Sequence, residues 1–323
     1  MGMMKRFTSL ALGAAALSAV ALAGPAEAFE PTKPVDFVIM AGKGGGADKM
    51  ARLMQSIIEK EKFASQPLVP VNKSGGSGAE ALVHMNKARD PDHTIMVTLN
   101  SFFTTPLRQP GLNVDIMEFA PVGRMAEDTF VLWVNKDEGI TTFEQFIEEA
   151  KAMGGEFVMG GTGKGQEDSI VIAYLSGAYG LTLKYIPYDG GGAVAKDLAG
   201  KQIMATVNNP AEAKGFYDSG DFVPLLAFSD ERMEAFPDVP TLKEKGHDFS
   251  YYNQRAVVGA PGMSEEAAEY YRTLFAEVYE SPEWQGYLQS ESLSPMPMTA
   301  EETRAYWDTQ IQSHRELLQQ VDG

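Results

Sequence analysis

The sequence predicts an α/β protein built around two sheets, and three observations carry that prediction. Short apolar runs of strand character alternate with stretches of helical spacing, the pattern of sheets covered by helices. The pattern starts near residue 35 and restarts near residue 130. Each half also places a glycine-rich loop between a strand and a helix.

The elements follow in order. Val35–Met40 reads as a strand and Gly42–Gly46 as a glycine turn. Asp48–Glu61 has helical spacing through Met50, Leu53, Met54, Ile57 and Ile58. Leu68–Val71 is a second strand, followed by the loop from Lys73 to Gly78 and a helix reaching Ala88. Ile95–Leu99 is a third strand, so the opening is βαβαβ with short loops and predicts a parallel sheet. The second half reads as strand Phe130–Val134, helix Thr142–Met153 and strand Phe157–Met159, then the loop Gly160–Gly165 and a helix stopping near Gly180. Lys184–Ile186, Ile203–Val207, Val223–Phe228 and Ala256–Gly259 are further strands. The last sixty or so residues are mostly helical (Glu265–Glu280, Pro282–Gln289, Ala300–Gln320).

The composition is that of an ordinary folded protein, 44% apolar and 22% charged over 323 residues. The net charge of −17 argues against nucleic-acid binding and against attraction to anionic lipid. With no cysteine, the chain has no disulfide, thiolate catalysis, iron–sulfur cluster or Cys-ligated zinc. Residues 1–28 read as a secretory signal: Lys5 and Arg6, an apolar run from Leu10 to Ala23, and Ala26-Glu27-Ala28 as the cleavage site. That apolar run is short for a membrane span of ~20 residues. Cleavage after Ala28 and a periplasmic location are expected.

A glycine-rich loop that opens a helix presents free N–H groups and the positive end of the helix dipole, which suits an anion. The first loop weakly resembles a dinucleotide fingerprint, with Gly42, Gly44 and Ala47 in the G-x-G-x-x-G/A positions. The second fails as a P-loop, because Val158 stands at the first glycine and Gly165 at the Ser/Thr. Tight turns alone would explain either loop; two of them, one per sheet, suggest a cleft at the carboxyl ends of the strands.

The motifs resemble the periplasmic solute-binding proteins of tripartite tricarboxylate transporters, the TctC or Bug family. Lys33-Pro34, a strand, Gly42 to Asp48 and Ala51-Arg52 match an opening of the form PPGGxxD-xxAR. Asn72 to Gly78 stands for NRPGAGG, Asp90 to Ile95 for APDGYTL, and Gly160 to Gly165 for GSxGxG. Ile186 to Gly190, Asp197 to Gln202, and Phe236 to Thr241 with Glu244 and Gly246 match VPYxG, DLxGGQ and LPDVPTxxExG.

The resemblance implies a two-lobed periplasmic-binding-protein fold with two crossover strands and a ligand cleft between the lobes. The crossovers are expected near Phe130–Asn135 and Gln254–Gly259. Lobe one is then 29–128 plus 256–323, and lobe two 129–255. Ligand binding is implied for Lys43, Gly44, Gly45, Gly46, Ala47 and Asp48 in lobe one. In lobe two it is implied for Thr162, Gly163, Lys164, Gly165 and Gln166. Ser101, Tyr188, Asn208 and Arg255 complete the expected set. The chain departs from the family pattern at Gly42-Lys43, where two prolines are usual, at Gly161, where a serine is common, and at Ser169, where many relatives have histidine.

Each residue has a second reading. Arg255 suits a ligand carboxylate or a hinge salt bridge. Lys43 and Lys164 could draw in an anion or simply be solvated. Asp48 is better placed to fix its loop than to touch ligand. Glu167 and Asp168 sit in a first helical turn, where they favour the dipole but repel a bound anion unless they point away, or the ligand carries an amine or is a monocarboxylate. Phe102, Phe103 and Trp133 are expected in packing rather than on the ligand. His84, His93, His247 and His314 lack metal spacing, and neither HExxH nor G-x-S-x-G occurs.

The expected function is capture of a small organic carboxylate and its delivery to the membrane permease subunits of a tripartite tricarboxylate transporter. The protein is expected to be a monomer without cofactor, metal or enzymatic activity. A sensory receptor for a two-component kinase is the alternative, and a periplasmic hydrolase the remoter one.

Overall fold

A computed structural model describes Met1 and residues 29–322; the expected signal segment lies outside the described residues. The first strands are β1 (Val35–Ile39), β2 (Leu68–Asn72) and β3 (Thr94–Thr98), followed by β4 (Ala120–Thr129), which runs into β5 (Val131–Asn135). Then come β6 (Val158–Thr162), β7 (Lys184–Tyr188), β8 (Ala205–Asn208), β9 (Phe222–Ala227) and β10 (Tyr252–Gly259). They form two five-stranded sheets, ordered β2-β1-β3-β10-β4 and β7-β6-β8-β5-β9.

β1, β2 and β3 are parallel, as the βαβαβ opening predicts, with Phe37 opposite Pro70 and Ile95. Both sheets are nonetheless mixed. β10 runs antiparallel to β3 and β4, and β5 runs antiparallel to β8 and β9. The reason is connectivity: β5 and β10 each enter a sheet directly from the other sheet, with no crossover helix to reverse them.

Helices cover both faces of each sheet. α1 (Gly46–Glu61) turns Met50, Met54, Ile57 and Ile58 inward at helical spacing, and ends at Lys62 in the left-handed conformation. It packs with α8 (Glu265–Glu280) and α9 (Pro282–Ser290) on one face of the first sheet. α2 (Ala79–Asn86), α3 (Ser101–Arg108) and the start of α10 (Ala300–Asp322) cover the other, around Phe102, Phe103, Phe119 and Trp307. In the second sheet α4 (Phe143–Met153), held by a Thr142–Gln145 capping box, and α5 (Glu167–Tyr179) cover one face. α6 (Gly191–Ala199) and α7 (Pro210–Asp218) cover the other, with Trp133. Phe102, Phe103 and Trp133 are thus core residues.

The segment 256–323, expected in lobe one, reaches both lobes. α10 buries Trp307 in the first core and Leu318 in the second. Between them His314 stacks on Phe103 and meets the Tyr251 hydroxyl at 3.1 Å. The two sheets are therefore linked three times, by β4–β5, by the return to β10 and by this helix.

Candidate functional site

α1, α3, α5, α6 and α7 all begin at the carboxyl ends of strands, and these ends face one another across the gap between the sheets. Their first turns supply N–H donors that have no partner within the helix. At the starts of α1 and α3, and in the loops leading into α1 and α5, the chain's own side chains take several N–H donors. Gly44 N donates to Asp48 Oδ2 at 2.9 Å, and Gly46 N donates to Glu212 Oε1 at 2.7 Å. Ser101 N donates to Glu167 Oε1. Thr162 N and Oγ1 donate to Asp168. Gly163 N reaches Gln166 Oε1 at 2.7 Å, and Gly165 N reaches Ser169 Oγ at 2.8 Å.

Two of these bonds cross between lobes. Glu212, on α7 of the second, caps α1 of the first; Glu167, on α5 of the second, caps α3 of the first. Lys49 Nζ to the Ala211 carbonyl, 2.9 Å, and Ser77 Oγ to the Lys164 carbonyl, 3.2 Å, add to the contact. Two glycines let the backbones meet. A Cβ on Gly42 would lie 2.5 Å from the Asp189 carbonyl oxygen, and one on Gly192 would lie 2.9 Å from the Gly44 carbonyl oxygen. Glycine in place of the usual proline at 42 therefore has a steric reason. So does Gly161 in place of serine, since a Cβ there would meet the Tyr185 hydroxyl at 2.5 Å and Asp168 Oδ2 at 2.9 Å.

These elements enclose a cavity of about 40 Å³, room for a few waters. Gln166, Glu167, Asp168, Glu212 and Arg255 are among the polar side chains of its wall. Arg255 lies on β10, and its Nε donates to Asp128 Oδ2 of β4 at 3.2 Å. Its Nη2 also bonds that oxygen and reaches Asn209 Oδ1 of the second lobe at 3.3 Å.

Burial sets the electrostatics. It raises the pKa of Asp128 to about 6, although Arg255 pulls the other way. It raises Asp168 to about 7, against the Thr162 hydrogen bonds. Burial likewise raises Glu167, against the N–H groups it accepts from, and Glu212, against the attraction of Arg255 and the Gly46 N–H. Burial pulls Arg255 down, but the charges of Asp128 and Glu212 outweigh it and hold it above its usual value. Among the described residues no three His, Asp or Glu side chains gather as a metal site.

Of the expected residues, Gly45, Gly46, Ala47, Thr162, Gln166, Asn208 and Arg255 line the cavity. Gly44, Gly163, Gly165 and Ser101 sit beside it and take part through their backbone N–H groups. Asp48 fixes its loop, accepting from Gly44 N, Arg52 Nε and Asn72 Nδ2. Lys43 and Lys164 are exposed and outside the lining. Tyr188 also lies outside it, donating to Asp197 within the second lobe. Ser169, where histidine was usual, accepts from Gly165 N and donates to the Gln166 carbonyl. The sequence places Asn209 beside Asn208 on the rim, and it does line the cavity; Glu212, Asn253 and Asp128 were left out. For Glu212 a signal existed, since an acidic residue two positions after Pro210, itself preceded by Asn208-Asn209, marks a first turn at the rim.

Among the described residues no helix is long and apolar enough to cross a membrane. The family described as "Tripartite tricarboxylate transporter family receptor", TctC, matches residues 50–322. Protein BugT of Bordetella pertussis is 23% identical over 289 residues, covering 87% of each chain. The solved periplasmic binding protein BugD superposes with a TM-score of 0.85 at 20% identity, over 90% of this chain and 98% of that one. Rpa4515 of R. palustris, solved with adipate, gives a TM-score of 0.84 at 21% identity, over 90% and 98%. By that match, which spans most of its length, the chain belongs to the TctC family of tripartite tricarboxylate transporter receptors.

Proposed function

We propose that this chain is a periplasmic receptor that encloses a small organic carboxylate between two lobes and passes it, unchanged, to the permease subunits of a tripartite tricarboxylate transporter. One observation carries the reading: five helix N-termini from both sheets converge on one cavity, and hydrogen bonds across the gap hold it shut. Such bonds form only when the lobes meet, so a solute that fits between them shifts the protein toward the closed form. The adipate in the similar R. palustris protein supports the ligand class. Residues 29–128 with 256–323 would form lobe one, and 129–255 lobe two, with Arg255 at the hinge between them. No metal or cofactor is needed, because holding a solute breaks no bond.

The test is thermal melting of the chain from residue 29 onward, against mono-, di- and tricarboxylates, amino acids and aromatic acids. A bound solute at about 100 times its Kd adds roughly 2.7 kcal/mol of stability. A solute that raises the melting temperature and is recovered intact supports the proposal; one recovered as a product would make the protein an enzyme.

A further inference from the structure

We infer that a second cavity, apart from the one between the lobes, binds an amphiphilic monoanion: one carboxylate on an aliphatic or aromatic body. The inference goes beyond the receptor reading and does not rest on it. The cavity, of about 420 Å³, lies where β4, α8 and the chain entering α10 meet. It shares no lining residue with the cavity between the lobes. Three observations support it.

The first is an arginine short of acceptors. Arg124 lines the cavity and is 3% exposed. A guanidinium carries five N–H donors. Here Nη2 donates to Glu127 Oε2, and Nη1 reaches the Met298 sulfur, a weak acceptor, at 3.7 Å. Nε is buried and, among the described residues, has no hydrogen-bond partner. The Tyr306 ring under Cζ attracts the charge but leaves that N–H unfilled. Met298 lines the same cavity, so the under-used edge of the guanidinium borders this space. A buried N–H without an acceptor is costly, and this one calls for an oxygen.

The second is the way β4 builds the wall. Its register on β10 skips Val122 and Met125, which makes each a bulge. Strict alternation would turn the neighbours Arg124 and Met125 to opposite faces. The bulges instead bring Val122, Arg124 and Met125 to one cavity, as bulges re-aim side chains beside functional sites. Phe275, Tyr279 and Met298 add apolar surface suited to a hydrocarbon chain or ring.

The third is that the other charges on the wall are matched. Arg272 pairs with Glu265 and Glu269. Glu302 accepts from Thr299 N and Oγ1, both at 2.8 Å, at the start of α10. Glu280 is exposed, where solvent screens it. The unmet demand is therefore for one acceptor group, beside Arg124. The volume lies within the ~300–1,000 Å³ of small-molecule sites.

Methyl spectra of the methionines in the chain from residue 29 onward test this. The added probes are octanoate, octanamide and octylamine, with phenylpropionate and its amide as aromatic counterparts. Met125→Leu and Met298→Leu assign the two signals at the wall. At least one of the two acids should shift both signals saturably. Its amide, and octylamine, should bind at least about 10-fold more weakly, as a hydrogen bond to a charged group requires. Arg124→Met should weaken binding of the acid about 10- to 100-fold. Ala276→Trp, on the exposed side of α8, should block the cavity and serves the same purpose should the first variant fold poorly. Neither acid moving these signals, equal binding of acid and amide, or undiminished binding by the folded variants would each overturn the inference. Each of those results would leave the receptor reading standing, since that reading concerns the other cavity.

Discussion

Replacing Arg255 by methionine isolates the charge at the hinge. In the native protein Asp128 is fully buried, and its pKa is raised only to about 6 because Arg255 offsets part of the burial cost. The sign follows from proton counting. A carboxylate whose folded pKa exceeds its unfolded value binds more protons when folded, so stability falls as pH rises between those two values. Wild type stops losing stability on this account above about pH 6. Without Arg255 the burial cost on Asp128 is unopposed and its pKa moves further up, so the variant keeps losing stability where wild type is level. Each pH unit of that further rise adds about 1.36 kcal/mol, so a loss that continues from pH 6 to pH 8 gives about 3 kcal/mol more at pH 8 compared with pH 5. For a chain of this size that is a melting-temperature difference of roughly 6–12 °C. The assay is urea unfolding of wild type, Arg255→Met and Arg255→Met/Asp128→Leu at both pH values. The double variant, with both members of the pair gone, should lose the part of the pH dependence that comes from Asp128. An equal loss at pH 5 and pH 8, or a double variant as pH-sensitive as the single, would refute the reasoning.

Asp168→Asn should flatten the pH dependence on the second lobe's side. With its pKa raised to about 7, Asp168 costs wild type about 3 kcal/mol between pH 5 and pH 8, and the variant should gain by that amount relative to wild type in melts across the range. His314 works in the opposite direction, since burial lowers its pKa to about 4 and it adds stability as pH rises toward 6.5; it is common to both proteins and cancels in the comparison. Gly42→Ala should leave folding intact, because Gly42 does not need a positive φ, but should hinder closure against the Asp189 carbonyl. Overpacking of about 1–3 kcal/mol corresponds to roughly 5- to 150-fold weaker solute binding, and unchanged affinity in calorimetry would contradict the close approach. Leu318→Ala should cost about 2–5 kcal/mol in urea unfolding through the second core; a loss under about 0.5 kcal/mol would show that α10 does not tie the lobes.

Elements with a clear period were legible in the sequence. α1, α4 and α8 show apolar residues at helical spacing, and β1 and β5 are short apolar runs. β4 was not legible. It carries Pro121, Gly123, Arg124, Glu127 and Asp128, and reads as a loop until its charges find partners. Those partners are distant in sequence: Arg124 lies over the Tyr306 ring at 4.1 Å, and Asp128 meets Arg255. α3, α6 and α7 were missed: α3 holds Pro106, α6 opens on Gly191-Gly192 and α7 holds Gly215, residues that weaken a helical reading. The two glycine loops were visible as candidate anion sites. That carboxylates of the opposite lobe would fill two of the N-termini was not, since Glu167 and Ser101, or Glu212 and Gly46, share no local pattern. Tyr188 illustrates the converse, where a motif match named a residue that tertiary packing turns toward Asp197.

The central claim is that the lobes close on a solute. The chain has no cysteine, so Ser56→Cys on α1 and Lys196→Cys on α6, both exposed, allow a specific donor–acceptor dye pair across the gap. Single-molecule energy transfer, read while solutes are added, should show one narrow short-distance population with a bound solute and a broader or longer one without it. A solute shown by calorimetry to bind, yet leaving the inter-lobe distance and its spread unchanged at saturation, would contradict the account.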